Sequence, residues 1–198
     1  MFHIRLLAQG FEWLVCASIG LVPLLCGNAA NAAECGNNSP DYTARRTLII
    51  GLVTKVSKVY VSGSKVREEE DGSDGGQIVV LRLPEQGVSY VFHPDRKDAL
   101  LLPFPPKPDA PKQRTRKAVD KRPDGTIVRR FQLLSGGEWR DVSTTTCRPD
   151  GVMLEQAFDF IDPHGNLLAG SLTQRDIEVG PLPKTLFEVP ESIVIRRP

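Results

Sequence analysis

Few side chains in this sequence are of the types and spacing that acid–base or nucleophilic chemistry requires. The three histidines are His3, His93 and His164. His3 belongs to the N-terminal apolar segment, while His93 beside Pro94 and His164 in a predicted turn have the setting of surface residues rather than of general bases. The sequence has no G-x-S-x-G, no H-E-x-x-H and no glycine-rich phosphate loop opening a helix. We therefore predict a protein that is not an enzyme, with no catalytic residues and no cofactor.

An acidic group is the candidate metal site. It consists of Glu68, Glu69, Glu70, Asp71 and Asp74. Carboxylates are good calcium ligands, but the spacing here misses the alternating pattern of an EF-hand loop. We expect a solvated hairpin without a metal, and the alternative is a calcium site.

A basic, proline-rich segment covers residues 104–124 and has hardly an apolar side chain before Ile127. Proline fixes φ and removes a backbone donor, so residues 104–111 are predicted to be extended and residues 112–120 to form at most a short exposed helix. The segment is interpreted as a solvated loop. The alternative is a docking arm for an anionic surface such as lipid headgroups or nucleic acid. Its contacts would be Lys112, Arg114, Arg116 and Lys117.

The N-terminal residues 1–33 have the pattern of a signal peptide. Arg5 gives a weakly positive start, residues 13–26 are apolar, and Ala30 and Ala32 supply an A-x-A cleavage pattern. The apolar stretch is shorter than the roughly 20 residues that span a bilayer, so cleavage is favoured over a retained anchor. Neither Cys26 nor Cys35 follows the small residue of a lipoprotein signal. The mature chain, residues 34–198, is expected in the periplasm or outside the cell.

Four cysteines are present, and two of them, Cys16 and Cys26, leave with the signal peptide. An even pair, Cys35 and Cys147, then remains in an oxidising compartment, where one disulfide is the simplest interpretation. Two unpaired thiols are the alternative, because sequence gives no distance between them.

The composition indicates one globular domain without a nucleic-acid partner. The chain has 198 residues, of which 40% are hydrophobic and 25% charged, and its formal net charge is +1. Such a composition argues against disorder. The small net charge gives no overall field that attracts DNA or RNA.

Two runs of short strands are predicted, each joined by turn residues. Residues 46–53 form a first buried strand with Gly51 as a possible bulge, and a meander follows over residues 56–103. In the strand 88–93, Val88, Tyr90 and Phe92 are expected to face the core. A second meander uses residues 126–134, 139–147, 152–161 and 167–179, with the turn Arg-Pro-Asp-Gly at both 122–125 and 148–151.

Three phrases of the sequence resemble a known family. They are KVYVSGSKVRE at 58–68, QIVVLRL at 77–83 and VSYVFHPDRK at 88–97, and the closing LPKTLFEVP at 182–190 is similar to the end phrase of the same group. The group contains the exported half-barrel proteins related to the outer-membrane lipoprotein carrier LolA, especially their DUF4412-type relatives. The resemblance covers most of the mature chain.

The resemblance implies a mainly β fold, in which a single curved antiparallel sheet forms a half-barrel with little helix. Its concave, apolar face would hold a lipid or a lipoprotein acyl chain without chemistry on the ligand. The residues expected on that face are Val79, Leu81, Tyr90, Phe92 and Phe158. The alternative is a cell-envelope interaction or regulatory domain that has no small ligand and binds a protein partner through the basic arm or a sheet edge.

Overall fold

The structure, a computed structural model, describes residues 35, 39–72, 75–104, 114–161 and 166–196. Twelve strands and two short 3₁₀ helices, Pro84–Gln86 and Lys184–Phe187, make up its regular elements. The strands are β1 (Tyr42–Ile50), β2 (Val53–Ser62), β3 (Lys65–Asp71), β4 (Gln77–Leu83), β5 (Val88–Phe92), β6 (Asp98–Pro103), β7 (Thr115–Lys121), β8 (Ile127–Ser135), β9 (Glu138–Cys147), β10 (Met153–Ile161), β11 (Leu167–Val179) and β12 (Val194–Arg196).

All twelve strands belong to one sheet. Its order is β12-β6-β5-β4-β3-β2-β1-β11-β10-β9-β8-β7. Strands β1 to β6 form one antiparallel meander and β7 to β11 form another, and the antiparallel pair β1–β11 joins the two. The short β12 adds to β6 in parallel. The predicted fold class, a mainly β protein built on a single curved sheet with little helix, is confirmed.

The turns that separate the strands use the chemistry expected from the sequence. In the turn after β7, the N–H of Gly125 donates to the carbonyl of Arg122, and the Asp124 carboxylate accepts from the N–H of Thr126. The turn after β9 repeats both bonds, from Gly151 to Arg148 and from Val152 to Asp150. Proline at the second position and glycine at the fourth explain why the same four residues give the same hairpin turn twice.

The first predicted strand is wrong in its boundaries. Residues 46–53 cross a hairpin turn, because β1 ends at Ile50 and β2 starts at Val53. Gly51 has a φ of 56°, so it makes the turn and is not a bulge within a strand. Leu52 at the tip is 105% exposed. The turn has only two residues, one of which is glycine, and it lies within an apolar run that contains β-branched residues. The sequence pattern therefore did not indicate a turn at this position.

The basic segment also differs from its prediction. Residues 115–121 form β7, not a short helix, and pair along their whole length with β8. The Arg122–Gly125 turn returns the chain at once, so residues before it lie beside residues after it, and that pairing overrides the weak helical preference. Residues 105–113, which include Lys112, lie outside the described part of the chain.

The register defines two faces of the sheet. We call the face that carries Tyr42, Arg46 and Glu68 the inner face, and the face that carries Tyr60, Leu81 and Phe92 the outer face. Two apolar clusters lie on the inner face. They contain Tyr42, Ala44, Val59, Val61, Val66 and Val152, and Cys35, Ile50, Cys147, Met153, Phe158 and Leu172.

A disulfide joins Cys35 to Cys147, with the two Cα atoms 5.6 Å apart. The predicted pairing is confirmed. The bridge ties the residue ahead of β1 to the end of β9 across 112 positions of sequence. For a loop of this length the chain-entropy model gives a stabilisation of about 4 to 5 kcal/mol.

Within the described ranges, no helix is long and apolar enough to cross a membrane. Residues 1–33, which the sequence predicts to be a signal peptide, lie outside those ranges.

Candidate binding surfaces

A buried carboxylate, Glu68, forms the centre of an ion network on the inner face. Its side chain is 4% exposed, and its two oxygens are held by different partners. Ser57 donates its hydroxyl to Oε1 at 2.7 Å, and Arg82 donates to Oε2 at 2.8 Å. Burial by itself raises the pKa of Glu68, but Arg82, Arg46 and Lys55 together lower this pKa far below its usual range. Glu68 is therefore ionised in the folded protein at neutral pH.

The same network contains more positive than negative charge. The Arg46 guanidinium lies 3.6 Å from Oε2 of Glu68, the oxygen that Arg82 already binds. Lys55 pairs with Glu70 at 2.5 Å and lies 4.0 Å from Glu68. Burial lowers the pKa of both Arg46 and Lys55, while Glu68 raises it in each case. Three cations thus share two carboxylates on a face that is largely closed to water.

Polar side chains cross the inner face from strand to strand. Eight neighbouring strands each contribute one such residue, and most of these residues are buried. From β4 to β8 through the sheet, they are Arg82, Glu68, Ser57, Arg46, Gln174, Gln156, Thr145 and Arg129. The inner face therefore combines this polar band with the two apolar clusters and is not uniformly apolar.

The outer face of the first meander is covered by the chain itself. Residues 182–193, which we call the C-terminal segment, place Phe187 and Ile193 against Val79, Leu81 and Phe92. Polar contacts hold the segment at two points: Arg67 donates to the Leu186 carbonyl at 3.3 Å, and the Leu182 N–H donates to Asp41 at 3.3 Å. Strand β12 then anchors the end of the segment to β6.

The structure does not bring the five predicted ligand residues to one face. Val79, Leu81, Tyr90 and Phe92 share the outer face, under or beside the C-terminal segment. Val88 packs in the same cluster, as its predicted core position requires. Phe158 lies on the inner face, where its ring covers Gly170. The pairing register of the strands explains this separation. Phe158 is opposite Gly170 of β11, and the alternation of side chains along β11 and β1 puts this position on the inner face, opposite to the other four residues.

An open groove of about 460 Å³ lies on the outer face where the C-terminal segment does not reach. Its surface is polar and apolar in about equal parts, and the charged residues Arg45, Lys58, Glu69, Asp71 and Glu178 belong to its lining. An acyl chain in this groove would therefore lie against charged side chains as well as against apolar surface.

The acidic residues of β3 do not all lie on the same face of the sheet. Alternation along β3 sends Glu68 and Glu70 to the inner face and Glu69 to the outer face, where Arg67 binds Glu69 at 2.7 Å. The expectation of a solvated hairpin is therefore wrong for Glu68. Asp74 lies outside the described residues, and among those described no group of three potential metal ligands is found.

Strand β7 forms a basic edge of the sheet, and among the described residues no strand pairs with its outer side. Six of its seven residues are exposed, including Arg116 and Lys117. Arg116 binds Gln132 and stacks its guanidinium on Trp139, 4.4 Å from the ring centroid, so this predicted contact residue is already engaged. Arg130 of β8 pairs with Asp120 and Asp141. Within the described chain, Arg114, Lys117, Lys121 and Arg122 make no ion pair.

Comparison with known proteins gives structural likeness alone. No family model matches the chain, and no curated protein matches it. Similar solved structures include a LolA superfamily protein from Nitrosomonas europaea, 10% identical over 81% of this chain and 97% of that chain, with a TM-score of 0.41. A chain of the MucA/MucB complex from Pseudomonas aeruginosa is 14% identical over 83% and 62%, with a TM-score of 0.41. A putative outer membrane lipoprotein-sorting domain from Vibrio parahaemolyticus is 11% identical over 80% and 95%, with a TM-score of 0.25.

The fold and its surfaces define a class: a single-sheet β protein with a polar band on one face, a self-covered apolar cluster on the other, and a basic edge. Membership of the DUF4412 group stays a prediction. Because all three TM-scores are below 0.5, function has to follow from the residues of this chain.

Proposed function

We propose that the chain is an exported, non-enzymatic interaction domain of the cell envelope that binds an extended acidic segment of a protein partner along strand β7. The observation that carries this proposal is the position of β7 at the end of the sheet, where no other described strand pairs with its outer side. An edge strand offers a row of unused backbone donors and acceptors to a second chain, which is the basis of recognition by strand addition.

The hydrogen bonds at the two ends of β7 fix which residues face the partner. Leu134 donates to the carbonyl of Arg114, and Arg122 donates to the carbonyl of Thr126. In an antiparallel pair such bonds recur at every second residue, so Arg116, Ala118 and Asp120 also point to β8. The N–H and C=O groups of the residues between them point away from the sheet. These residues are Thr115, Lys117, Val119 and Lys121.

The side chains of the edge select the charge of the partner. Lys117 and Lys121 belong to the outward set, and Arg114 and Arg122 flank it. Lysines on an edge also oppose pairing with a second copy of the same strand, because like charges would then lie side by side. An acidic segment meets no such repulsion, so the same side chains disfavour self-association and favour an acidic partner.

A proline substitution tests this proposal. Val119→Pro removes one outward N–H and leaves the bonds to β8 in place, whereas Val119→Ala keeps the N–H and serves as the matched control. The probe is a nine-residue peptide of alternating glutamate and threonine, titrated into labelled protein and followed by amide NMR shifts. We expect shifts centred on residues 115–121 that the proline variant loses and the alanine variant keeps.

Charge gives the second arm of the same experiment. Lys117→Glu with Lys121→Glu is expected to abolish binding of the acidic peptide, and raised salt is expected to weaken it. As a control, Lys97→Glu with Lys184→Glu makes the same charge change away from β7. Peptide binding that survives Val119→Pro, or shifts that map away from β7, would contradict the proposal.

A second candidate function is the binding of a lipid or an acyl chain on the outer apolar cluster. In its favour, four of the predicted ligand residues do come together there, and only a short C-terminal segment covers them. A ligand at this place has to displace Phe187. Native mass spectrometry of the protein purified from its own envelope separates the candidates: a copurifying lipid supports the second, and a lipid-free protein that captures an acidic partner supports the first.

A further inference from the structure

The inner face of the sheet stays open to solvent at its β7 end. Val119 of β7 is opposite Arg129, a residue of the polar band, so Val119 points to the inner face. Lys117 and Lys121 are two positions away on either side and point the same way. All three side chains are exposed, Val119 by 58%. On the inner face, β7 therefore presents an apolar side chain between two lysines.

Phe131 of β8 enlarges the apolar part of this surface. It is two positions from Arg129 and therefore diagonal to Val119, a separation that an aromatic side chain can bridge. Phe131 is 37% exposed. Arg129 itself is turned away from β7, because it donates to the carbonyl of Cys35 at 3.4 Å, and Cys35 is bonded to Cys147 on the far side of β8. Val119 and Phe131 thus form an exposed apolar pair next to the edge of the sheet.

The outer face of β7 differs, because its charged side chains already have partners. Arg116 binds Gln132, and Asp120 pairs with Arg130. Ala118 lies between these two charged residues and has only a methyl group. A strand added to β7 would therefore meet charges on the outer face that are already engaged within the protein.

Strand addition places each side chain of the partner opposite one of β7, on the same face. Lys117 and Lys121 are exposed and make no ion pair within the described chain, so carboxylates opposite them are favoured. The partner residue between these two carboxylates lies opposite Val119 and within reach of Phe131. At that position an apolar side chain buries apolar area, whereas a carboxylate loses water without gaining a counter-charge.

From this register we propose that the acidic segment bound at β7 has the pattern acidic-x-apolar-x-acidic, with its central apolar side chain against Val119 and Phe131. This inference rests on the proposed function, because it requires strand addition to β7, and it adds the kind of residue at each position. The two x residues lie opposite Ala118 and Asp120, where a further carboxylate is disfavoured by Asp120. The pattern is the same in both chain directions, so it holds for a parallel or an antiparallel partner.

Three labelled nine-residue peptides, titrated with the protein at pH 7 and followed by fluorescence anisotropy, test this pattern. The first is the alternating peptide of glutamate and threonine. The second has valine in place of the central glutamate, Glu-Thr-Glu-Thr-Val-Thr-Glu-Thr-Glu. The third, Glu-Thr-Thr-Glu-Val-Glu-Thr-Thr-Glu, has the composition and charge of the second but puts the glutamates nearest the valine on the other face of the strand.

We expect the valine peptide to bind about threefold to fivefold more tightly than the alternating peptide, although it has one charge fewer. The rearranged peptide should bind more weakly than the valine peptide. Val119→Thr keeps the N–H and the branched shape of the residue but not its apolar contact, so it should remove the preference for valine. Ala118→Thr is the matched control, since it introduces the same side chain on the outer face and should keep that preference.

The outcomes separate this inference from the proposed function. If the alternating peptide binds and the valine peptide binds no more tightly, or if the valine and rearranged peptides bind equally, the pattern is overturned and strand addition stands. If none of the three peptides binds, strand addition is refuted and the pattern with it. A preference for valine that survives Val119→Thr would also contradict the inference, because the apolar side chain would then lie elsewhere.

Discussion

Replacing Glu68 by glutamine removes the negative charge at the centre of the ion network and leaves its three cations. Glu68→Gln keeps the size of the side chain, so little packing is lost. The remaining guanidiniums of Arg82 and Arg46 are then buried beside a neutral amide. Removing one partner of a buried ion pair costs about 3 to 5 kcal/mol, chiefly because the other charge is left uncompensated. We expect the free energy of unfolding at pH 7 to fall by that amount.

The pH dependence of the free energy of unfolding gives a second quantity with which to test the same variant. The pKa of Glu68 is lower in the folded state than in the unfolded state, where a glutamate has a pKa of about 4.3. Ionised Glu68 therefore contributes its full stabilisation above that unfolded-state pKa, and this stabilisation is lost as the pH falls below it. Between pH 7 and pH 3 a single carboxyl that stays ionised in the folded state loses about 2 kcal/mol of stabilisation. The difference between wild type and Glu68→Gln should shrink by this amount, because other carboxyls cancel in the comparison.

Urea unfolding followed by circular dichroism at pH 7 and pH 3 measures both quantities. Glu191→Gln is the matched control, because this glutamate is exposed, and we expect a change within about 0.5 kcal/mol. A double-mutant cycle with Arg82→Gln isolates the coupling between the two charges. Equal midpoints for wild type and Glu68→Gln at pH 7, or a difference between them that does not depend on pH, would refute the account of the network.

Three other perturbations have defined outcomes. Cys147→Ser should cost about 2 to 5 kcal/mol, and thiol titration of the denatured, unreduced mature protein should find no free cysteine; two titratable thiols would exclude the bridge. Gly170→Ala should cost about 1 to 3 kcal/mol by equilibrium unfolding, because the added Cβ overlaps the Phe158 ring, and a neutral result would show that the ring moves aside. Phe187→Ala should cost about 3 to 5 kcal/mol by the same measurement and uncover Leu81, with increased binding of an apolar dye; an unchanged protein would mean that the C-terminal segment contributes little to the fold.

The sequence predicts strands correctly wherever typical turn residues separate one strand from the next. The Arg-Pro-Asp-Gly turns at 122–125 and 148–151 carry their own local hydrogen bonds, so they indicate hairpins without knowledge of the rest of the chain. The turn at Gly51 carries one glycine inside an apolar run, and its prediction failed. Strand β7 was missed for a related reason, because its stability comes from β8 and not from its own polar residues.

The candidate sites could not be predicted from the alternation of side chains along single strands, because they also depend on the register between paired strands. Arg46 and Gln174 of the polar band come from β1 and β11, more than a hundred residues apart in sequence, and only the register between these strands places them opposite each other. Glu68 looked like part of a solvated acidic run, yet it follows Val66 at a spacing of two, and both lie on the inner face. The spacing of two between Val66 and Glu68 is the sequence signal that Glu68 lies on the inner face. This signal can be interpreted only when the pairing of β2 with β3 is known. The phrase at 182–190 shows a family likeness in the sequence, whereas its packing against Leu81 depends on the fold of the first meander.

The position of residues 182–193 in the chain has a consequence for biogenesis. They complete an apolar cluster whose other members belong to strands made more than eighty residues earlier. A ribosome releases the chain from its N-terminus onward, so Val79 and Leu81 stay uncovered until residues 182–193 have also been synthesised and released. The apolar cluster of the first meander therefore cannot be completed before about a hundred further residues have followed Leu81 out of the ribosome.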